Sequence, residues 1–282
     1  MKKQNIFLII SLIIILIGTV QTISYSDNKK EMDYIEYGSE NKEVIIMIHG
    51  SPGSKNDFKI LAPSLENKYH VYALDMPCFG NSPMAEDCGI DPAAKKLNYF
   101  MLERNITKAN ILGYSWGGGV AIEFAYLYPQ KVENLILLSS MGIQEGEFIP
   151  NHNLEKLYSI VTYPFVVFYP GSFAGNINWR KGFMRSFIET DLRPLREHLQ
   201  SINVPTLILY GNKDTNVEPW VAQEHARLIK NSELVSFNGT HIALFSNVSE
   251  IAPAIKSFLA RHQQSTAQAE LNLIIESRGE LR

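Results

Sequence analysis

A serine flanked two residues away on either side by glycine, in the stretch Gly113–Gly117, gives the strongest single indication of how this chain folds. The run Ala109–Leu112 before it is typical of a short strand, and Gly118–Leu127 after it is typical of a helix packed on a sheet. At such a turn the serine adopts strained backbone angles, and the glycines let neighbouring backbones approach without a Cβ clash. The pattern predicts that the Ser115 hydroxyl stands out of a sheet beside a helix N-terminus, which favours negative charge. A serine that only caps the next helix is the alternative.

Short apolar runs alternate along the chain with segments of helical spacing. The run Val44–Ile48 is continuously apolar and rich in β-branched residues, as expected for a strand buried on both faces. Further strands are predicted at 33–38, 71–74, 111–112, 135–138, 206–210 and 233–237, and helices at 57–66, 92–103, 118–127 and 249–261. This alternation predicts an α/β fold with a mostly parallel central sheet and helices on both faces.

The alternation breaks between residues 142 and 203, which are rich in aromatic residues and contain no clear strand. A structureless insertion of that length is uncommon in a compact domain. We therefore expect a helical cap over the edge of the sheet where the strands end, with most aromatic side chains in its own core and some lining an apolar pocket. The cap carries basic residues that either form a solvated helix face or bind an anionic substrate group: Arg180, Lys181, Arg185, Arg193 and Arg196.

The rest of the chain divides around this cap. Residues 24–141 and 204–262 are predicted to form the two parts of the core domain that contains the sheet. Residues 263–282 form a polar C-terminal tail that could include a short helix.

The first 23 residues differ from the remainder in composition. Lys2 and Lys3 precede an apolar run over residues 6–17 that extends to residue 20, as in a signal peptide, and the run is short for a membrane-spanning helix. The segment Val20–Thr22 only approximates a small-x-small cleavage site. We expect a cleaved leader or an uncleaved anchor that associates with a membrane through residues 6–20, with a buried helix as a third alternative. The first two export the domain, which would then be secreted, periplasmic or anchored outside the cytoplasm.

Composition excludes several classes of function. A formal net charge of −3 gives no electrostatic indication of nucleic-acid binding, and no G-x-G-x-x-G or P-loop pattern indicates a nucleotide cofactor. No cluster of cysteine and histidine indicates a metal. The two cysteines, Cys78 and Cys88, are too few for a disulfide framework. They could pair in an oxidising compartment or remain unpaired thiols.

A serine hydroxyl needs a base to become a nucleophile near pH 7, and that base needs an acid to orient it. Asp214 follows the predicted strand 206–210, and His241 follows the predicted strand 233–237. Like Ser115, both would lie at the C-terminal edge of the sheet, in the Ser–Asp–His order of one lineage of catalytic triads. We predict that Ser115 is the nucleophile, His241 the base and Asp214 the acid.

Alternatives remain for two of these roles. Asp214 could be only a turn residue, with Glu145 or Glu147 as weaker candidates for the acid. Among the other histidines, His49 ends the first buried strand and is better placed to orient a loop. The remaining histidines lie in polar, helical or terminal contexts: His70, His152, His198, His225 and His262.

A negatively charged reaction intermediate would also need hydrogen-bond donors. The glycine-rich loop Gly50–Gly53, the oxyanion loop below, follows the buried strand 44–48. Its donor would be the backbone N–H of Ser51, because Pro52 has no N–H, and the second donor would be the N–H of Trp116, the residue after the nucleophile. A loop that only binds an anion such as phosphate is the alternative.

The chain resembles the α/β-hydrolase fold superfamily, and within it the capped, lipase- and esterase-like serine hydrolases. The resemblance spans residues 33–261 and depends on motifs in a fixed order: His49–Gly53, Asp75–Ser82, Gly113–Gly118, and Gly211–Asp214 with Gly239–His241. It implies a Ser–His–Asp triad that needs no cofactor and no metal. One departure is Cys78, where the superfamily commonly has glycine.

The resemblance defines the fold better than the substrate, since this fold hosts many chemistries. A serine in the turn excludes the haloalkane dehalogenase-like and epoxide hydrolase-like branches, which use aspartate. The turn is similar to that of proline iminopeptidase-like proteins, but those favour glycine where this chain has Ser51. We predict hydrolysis of a small-molecule carboxylic ester, or secondarily an amide. The alternatives are C–C bond hydrolysis, cofactor-free peroxidase activity, aminopeptidase activity, and a non-catalytic cell-surface binding module; the sequence does not predict the oligomeric state.

Overall fold

The computed structural model describes residues 31–147, 149–168 and 177–279, with side chains up to residue 263. The leader or anchor expected at residues 1–23, including the apolar segment 6–20, lies outside this range. Within the described residues, no helix is both long enough and apolar enough to cross a membrane.

A seven-stranded sheet forms the centre of the fold. Its strands are β1 (Tyr34–Tyr37), β2 (Val44–Ile48), β3 (His70–Leu74), β4 (Ala109–Tyr114), β5 (Val132–Leu138), β6 (Thr206–Gly211) and β7 (Ser232–Phe237). They lie in the order β1-β3-β2-β4-β5-β6-β7, with β1 antiparallel to β3 and every other pair parallel. This arrangement confirms the predicted α/β fold with a mostly parallel sheet.

Helices cover both faces of the sheet. They are α1 (Ile90–Glu103), α2 (Trp116–Leu127), α3 (His152–Phe168), α4 (Ile177–Glu189), α5 (Leu195–Ser201), α6 (Pro219–Leu228), α7 (Ala243–Ser246) and α8 (Val248–Gly279). On β2, Ile46 and Ile48 belong to the core cluster that includes residues of α1, α2, α5 and α6, whereas Ile45 and Met47 belong to the cluster that includes residues of α7 and α8. Both faces of β2 are therefore buried, which explains its unbroken apolar sequence. Helix α8 continues past residue 263, into the segment expected to be a polar tail.

The helix predicted at 57–66 is wrong. The structure has two short 3₁₀ turns there, Lys55–Phe58 and Ala62–Ser64. Ser54 and Asp57 cap the first turn reciprocally, which favours a start before residue 57. Pro63 lies in the first turn of the second segment, where it has no N–H for a continuous helical ladder.

The described part of residues 142–203 is helical and contains no strand. A 3₁₀ turn at Gln144–Gly146 leads into α3, which packs against α4, and α5 closes the segment. Of the aromatic side chains expected there, Phe165 and Phe168 are exposed, whereas Phe148, Tyr169 and Phe173 lie outside the described residues.

Cys78 and Cys88 form a disulfide, with their Cα atoms 5.9 Å apart. The sequence left this pairing open. The backbone of Cys78 has a φ of 76°, in the left-handed region that favours glycine. The turn therefore keeps the conformation for which related proteins commonly use glycine, although a cysteine occupies it.

Candidate active site

Ser115 lies at the sharp turn between β4 and α2. Its φ of 52° and ψ of −120° are strained for a residue other than glycine, as predicted. The adjacent backbones are tightly packed: a Cβ on Gly113 would lie 2.3 Å from the carbonyl oxygen of Gly117, and one on Gly117 would lie 2.4 Å from that of His49. The two glycines therefore permit the turn that presents the Ser115 hydroxyl at the start of α2, where the helix dipole favours negative charge.

The structure brings Ser115, His241 and Asp214 together. Nε2 of His241 lies 2.9 Å from Oγ of Ser115, and Nδ1 of His241 lies 2.8 Å from Oδ2 of Asp214. Because a carboxylate can only accept, Nδ1 carries the ring proton, and Nε2 is then the acceptor that faces the serine hydroxyl. This is the protonation pattern that lets the imidazole take a proton from serine.

Neighbouring groups hold the aspartate and the histidine in place. Oδ1 of Asp214 accepts the backbone N–H groups of Asn216 and Val217 at 2.9 and 3.0 Å, and the Asp214 side chain is fully buried. The Tyr114 hydroxyl donates to the carbonyl oxygen of His241 at 2.8 Å, and burial raises the pKa of that hydroxyl. Tyr114 therefore stays a neutral donor beneath the His241 loop. The sequence analysis missed this role, since this position of the motif can hold any residue.

The loop Gly50–Gly53 lies beside the nucleophile. Strands β3 and β4 lie on opposite sides of β2, so the direction in which successive strands are added to the sheet reverses here. The C-terminal ends of β2 and β4 therefore flank the switch point where α/β sheets bind ligands. A Cβ on Gly50 would lie 3.0 Å from Cβ of Ser115. Among the described residues, the Ser51 N–H takes no part in a backbone hydrogen bond of the loop. Trp116, as the first residue of α2, has no acceptor for its N–H within its own helix.

His49 orients this loop, as its position after β2 predicted. Its Nδ1 donates to the carbonyl oxygen of Gly50 at 2.7 Å, and its Nε2 accepts the N–H of Met76 at 3.1 Å. Burial lowers the pKa of His49 to about 4, so the ring is neutral and can accept and donate at the same time.

The other candidates for base and acid lie away from Ser115 and contact other groups. Glu145 is 3.3 Å from Arg196, and desolvation by burial raises the pKa of Glu147 well above its usual range. The histidines at 70, 152, 198 and 262 each face a carboxylate: Glu36, Asp191, Glu123 and Glu233 respectively. His225 is fully buried, and neither of its ring nitrogens has a hydrogen-bond partner among the described residues.

His225 should make the fold sensitive to acid. Burial lowers its pKa to about 4 from 6.5, so between these values the unfolded chain binds a proton that the folded chain does not. Stability should therefore fall as the pH drops from about 6.5 to about 4, by about 3 kcal/mol for this one group. Urea unfolding of a His225→Leu variant should show a correspondingly flatter pH dependence than the wild type. An unchanged slope would rule His225 out as the responsible group.

Three of the basic cap residues are engaged by acidic side chains. Arg185 contacts Glu189, and Arg193 contacts Asp191. Arg196 contacts Glu145 and Glu224. These contacts favour the structural interpretation of this basic set over a site for an anionic substrate.

Lys55 is a buried charge that the sequence analysis missed. Its Nζ lies 2.6 Å from Asp33 and 2.7 Å from Asp75, and Asp75 also accepts the N–H of Asn81. This network joins the segment after the oxyanion loop to the loop after β3. A lysine two residues past Gly53 carries no local indication of burial, because its partners are distant in the chain.

The arrangement of the sheet and of the Ser115, His241 and Asp214 side chains is that of the α/β-hydrolase fold, and known proteins with this fold are similar to the chain. A family model described as alpha/beta hydrolase fold matches residues 43–159. Lipase 3 of Moraxella sp. (strain TA144) is 25% identical over 268 residues, which cover 85% of this chain and 84% of that protein. Lipase 1 of Psychrobacter immobilis is 23% identical over 282 residues, covering 85% and 88%. A thermophilic esterase from Thermogutta terrifontis superposes with a TM-score of 0.70 at 18% identity, over 82% of this chain and 93% of the esterase.

The chain therefore has the α/β-hydrolase fold, which it shares with proteins named as lipases and esterases. Its lipase- and esterase-like relatives support ester hydrolysis in general.

Proposed function

We propose that this enzyme is a serine hydrolase that cleaves carboxylic esters through an acyl-enzyme, with Ser115, His241 and Asp214 as its catalytic residues. The observation that carries the proposal is the unbroken contact from the Ser115 hydroxyl, through both ring nitrogens of His241, to the buried Asp214 carboxylate. A relay of this kind turns a weakly nucleophilic hydroxyl into an attacking group at neutral pH.

In the acylation step, Oγ of Ser115 attacks the ester carbonyl carbon while Nε2 of His241 takes the hydroxyl proton. The carbonyl oxygen becomes an oxyanion, which the N–H groups of Ser51 and Trp116 stabilise. As the intermediate collapses, the bond to the leaving oxygen breaks, and His241 returns the proton to the departing alcohol. Asp214 remains ionised and stabilises the imidazolium.

Deacylation repeats these steps with water as the nucleophile. His241 takes a proton from water as it attacks the acyl carbon, and the same two N–H groups stabilise the second oxyanion. Collapse breaks the bond to Ser115 Oγ, which regains its proton from His241. The free acid leaves, and the starting protonation state is restored.

We further propose that the acyl groups are apolar and are taken from a lipid–water interface. One face of α3 exposes large apolar side chains that lie on the same side of the helix: Leu154, Leu157, Tyr158, Val161, Phe165 and Phe168. A contiguous apolar face of this kind is typical of a helix that binds a lipid surface. The names of the two related lipases support the same substrate class.

Export is part of the proposal. A disulfide such as Cys78–Cys88 persists in oxidising compartments, which supports a location outside the cytoplasm. An apolar N-terminal segment at residues 6–20 would direct that export and, if retained, would hold the domain beside a membrane. The intact mass of the protein recovered from the cell envelope and the medium distinguishes a cleaved leader from an anchor.

Labelling with a fluorophosphonate probe tests the hydrolase proposal. The folded wild type should form a covalent adduct on Ser115, located by peptide mass spectrometry, because the probe reacts with activated serines. The same preparation should hydrolyse p-nitrophenyl esters, with kcat/KM rising from acetyl towards longer acyl groups. It should also be more active on an emulsified triglyceride than on the same ester in solution.

Other outcomes assign the alternatives. A correctly folded wild type that is not labelled would contradict the serine hydrolase proposal and favour a binding module. Labelling without ester turnover, together with activity on a diketone, a peracid or an N-terminal proline peptide, would instead identify C–C hydrolysis, peroxidase activity or aminopeptidase activity.

A further inference from the structure

The end of cap helix α4 contacts both residues that would supply the oxyanion N–H groups. Oγ of Ser186 lies 2.7 Å from Oγ of Ser51 in the oxyanion loop. The indole Nε1–H of Trp116 donates to Oγ1 of Thr190 at 3.0 Å. Ser186 is fully buried, and Trp116 and Thr190 are nearly so. Water therefore offers little competition for the contact of Trp116 with Thr190, and the contact of Ser51 with Ser186 is partly buried.

One helical turn provides both cap hydroxyls. Ser186 and Thr190 are four residues apart, and the Thr190 N–H donates to the carbonyl oxygen of Ser186 at 3.2 Å. Residues at this spacing lie on the same face of a helix. One face of the last turn of α4, extended by Thr190 just after the helix, thus reaches from the oxyanion loop to the residue after the nucleophile.

The direction of each hydrogen bond is fixed. The Ser186 hydroxyl donates to the carbonyl oxygen of Phe183 at 2.8 Å, and a hydroxyl has only one hydrogen to donate. The Ser51 hydroxyl must therefore be the donor in its contact with Ser186. An indole N–H can only donate, so the cap hydroxyls accept in both contacts.

Helix α4 is itself anchored to the loop closed by the Cys78–Cys88 disulfide. Arg185 donates to the carbonyl oxygens of Ala85, at 2.9 Å, and Glu86, and it also pairs with Glu189. The second carboxylate oxygen of Glu189 accepts the N–H of Cys88 at 2.5 Å. A cross-linked loop and an ion pair therefore determine where the hydroxyl-bearing turn of α4 lies.

We propose that Ser186 and Thr190 are positioning residues that hold the Ser51 and Trp116 backbone N–H groups in register for the oxyanion. This inference rests on the proposed ester hydrolysis. Oxyanion stabilisation depends on donors that are fixed before the reaction, and small displacements of reacting groups are costly. The cap then belongs to the catalytic apparatus, and any movement of α4 away from the core loosens both donors together.

The test uses variants that remove each hydroxyl acceptor. Ser186→Ala and Thr190→Val should each lower kcat by about 10- to 100-fold with a smaller change in KM, because the lost contact matters most when charge develops. Affinity for an alkyl boronic acid, which forms a tetrahedral adduct with the serine, should weaken in proportion to kcat. Thr190→Ser retains the acceptor and should restore most of the rate.

Matched controls separate positioning from folding. Thr162→Val and Ser201→Ala remove cap-segment hydroxyls that bond only to carbonyl groups within their own helices, and they should leave kcat near the wild-type value. In a double-mutant cycle, Ser51→Ala combined with Ser186→Ala should cost no more than either single change, since all three remove the same hydrogen bond. Thermal unfolding of every variant shows that the fold is intact.

Two results would overturn the inference. If the Ser186→Ala and Thr190→Val variants fold and keep wild-type kcat and boronic acid affinity, α4 does not position the donors. Additive losses of kcat in the double-mutant cycle of Ser51→Ala and Ser186→Ala would show the same. If Ser186→Ala does not fold, the test depends on Thr190→Val and Trp116→Phe. Both of these changes break the hydrogen bond between the Trp116 indole and the Thr190 hydroxyl. A folded wild type that neither labels with fluorophosphonate nor cleaves esters would refute the proposed function instead.

Discussion

Replacing Ser115 by alanine should lower kcat for ester hydrolysis by a factor on the order of 10⁶ and abolish fluorophosphonate labelling. The change removes the atom that would form the proposed acyl-enzyme, since His241 Nε2 faces the Ser115 Oγ at 2.9 Å. The residual rate would come from water activated by His241 in the same site. KM should change little, because Oγ contributes to the transition state more than to ground-state binding. Steady-state kinetics on a p-nitrophenyl ester, with protein free of host esterases, measures the effect.

Ser140→Ala is a matched control for this prediction. Ser140 is also a buried serine near the start of α2, but its hydroxyl donates to the carbonyl oxygen of Met141 at 2.7 Å. The control should keep its activity within a few-fold of the wild type and remain labelled. Substantial turnover by purified Ser115→Ala would place the nucleophile elsewhere.

The three proposed catalytic residues could be predicted from sequence because each lies within four residues of the end of a strand. Once the strands before Ser115, Asp214 and His241 are recognised as parallel, the topology alone brings their C-terminal ends to one edge of the sheet. Apolar runs mark β4 and β6, which are almost entirely buried, whereas β7 has a shorter apolar pattern in a largely exposed strand. The distances between the side chains of Ser115, His241 and Asp214 could be obtained only from the structure.

The features that the sequence did not reveal depend on contacts between distant segments. Ser186 meets Ser51 across 135 positions and Thr190 meets Trp116 across 74, and a hydroxyl on a helix looks the same whether it faces solvent or a catalytic loop. Lys55 is likewise buried only because Asp33 and Asp75 converge on it.

The cysteine pair shows the same limit. A spacing of ten residues allows either two thiols or a disulfide. The fold of the loop decides between them, because it brings the Cα atoms to 5.9 Å, within bonding range.

Replacing Asp214 by asparagine should lower kcat by a factor on the order of 10⁴ while leaving the fold intact. The backbone N–H groups of Asn216 and Val217 both point at one carboxylate oxygen, so the amide oxygen must occupy that position. The amide NH₂ then faces Nδ1 of His241 and donates to it. The histidine is forced to carry its proton on Nε2, where it can no longer accept the proton of Ser115.

This prediction also tests the two other candidates for the acid. Glu145→Gln should have little effect, because the pair it forms with Arg196 is exposed at the surface of the cap. Glu147→Gln should also be close to neutral. Burial raises the pKa of Glu147 well above its usual range and so favours the uncharged form, and glutamine has nearly the same shape. Measurements of kcat/KM from pH 6 to 9 should show the full loss for Asp214→Asn and near wild-type profiles for both glutamine variants. A large loss in Glu147→Gln combined with an active Asp214→Asn would transfer the role of the acid to the cap.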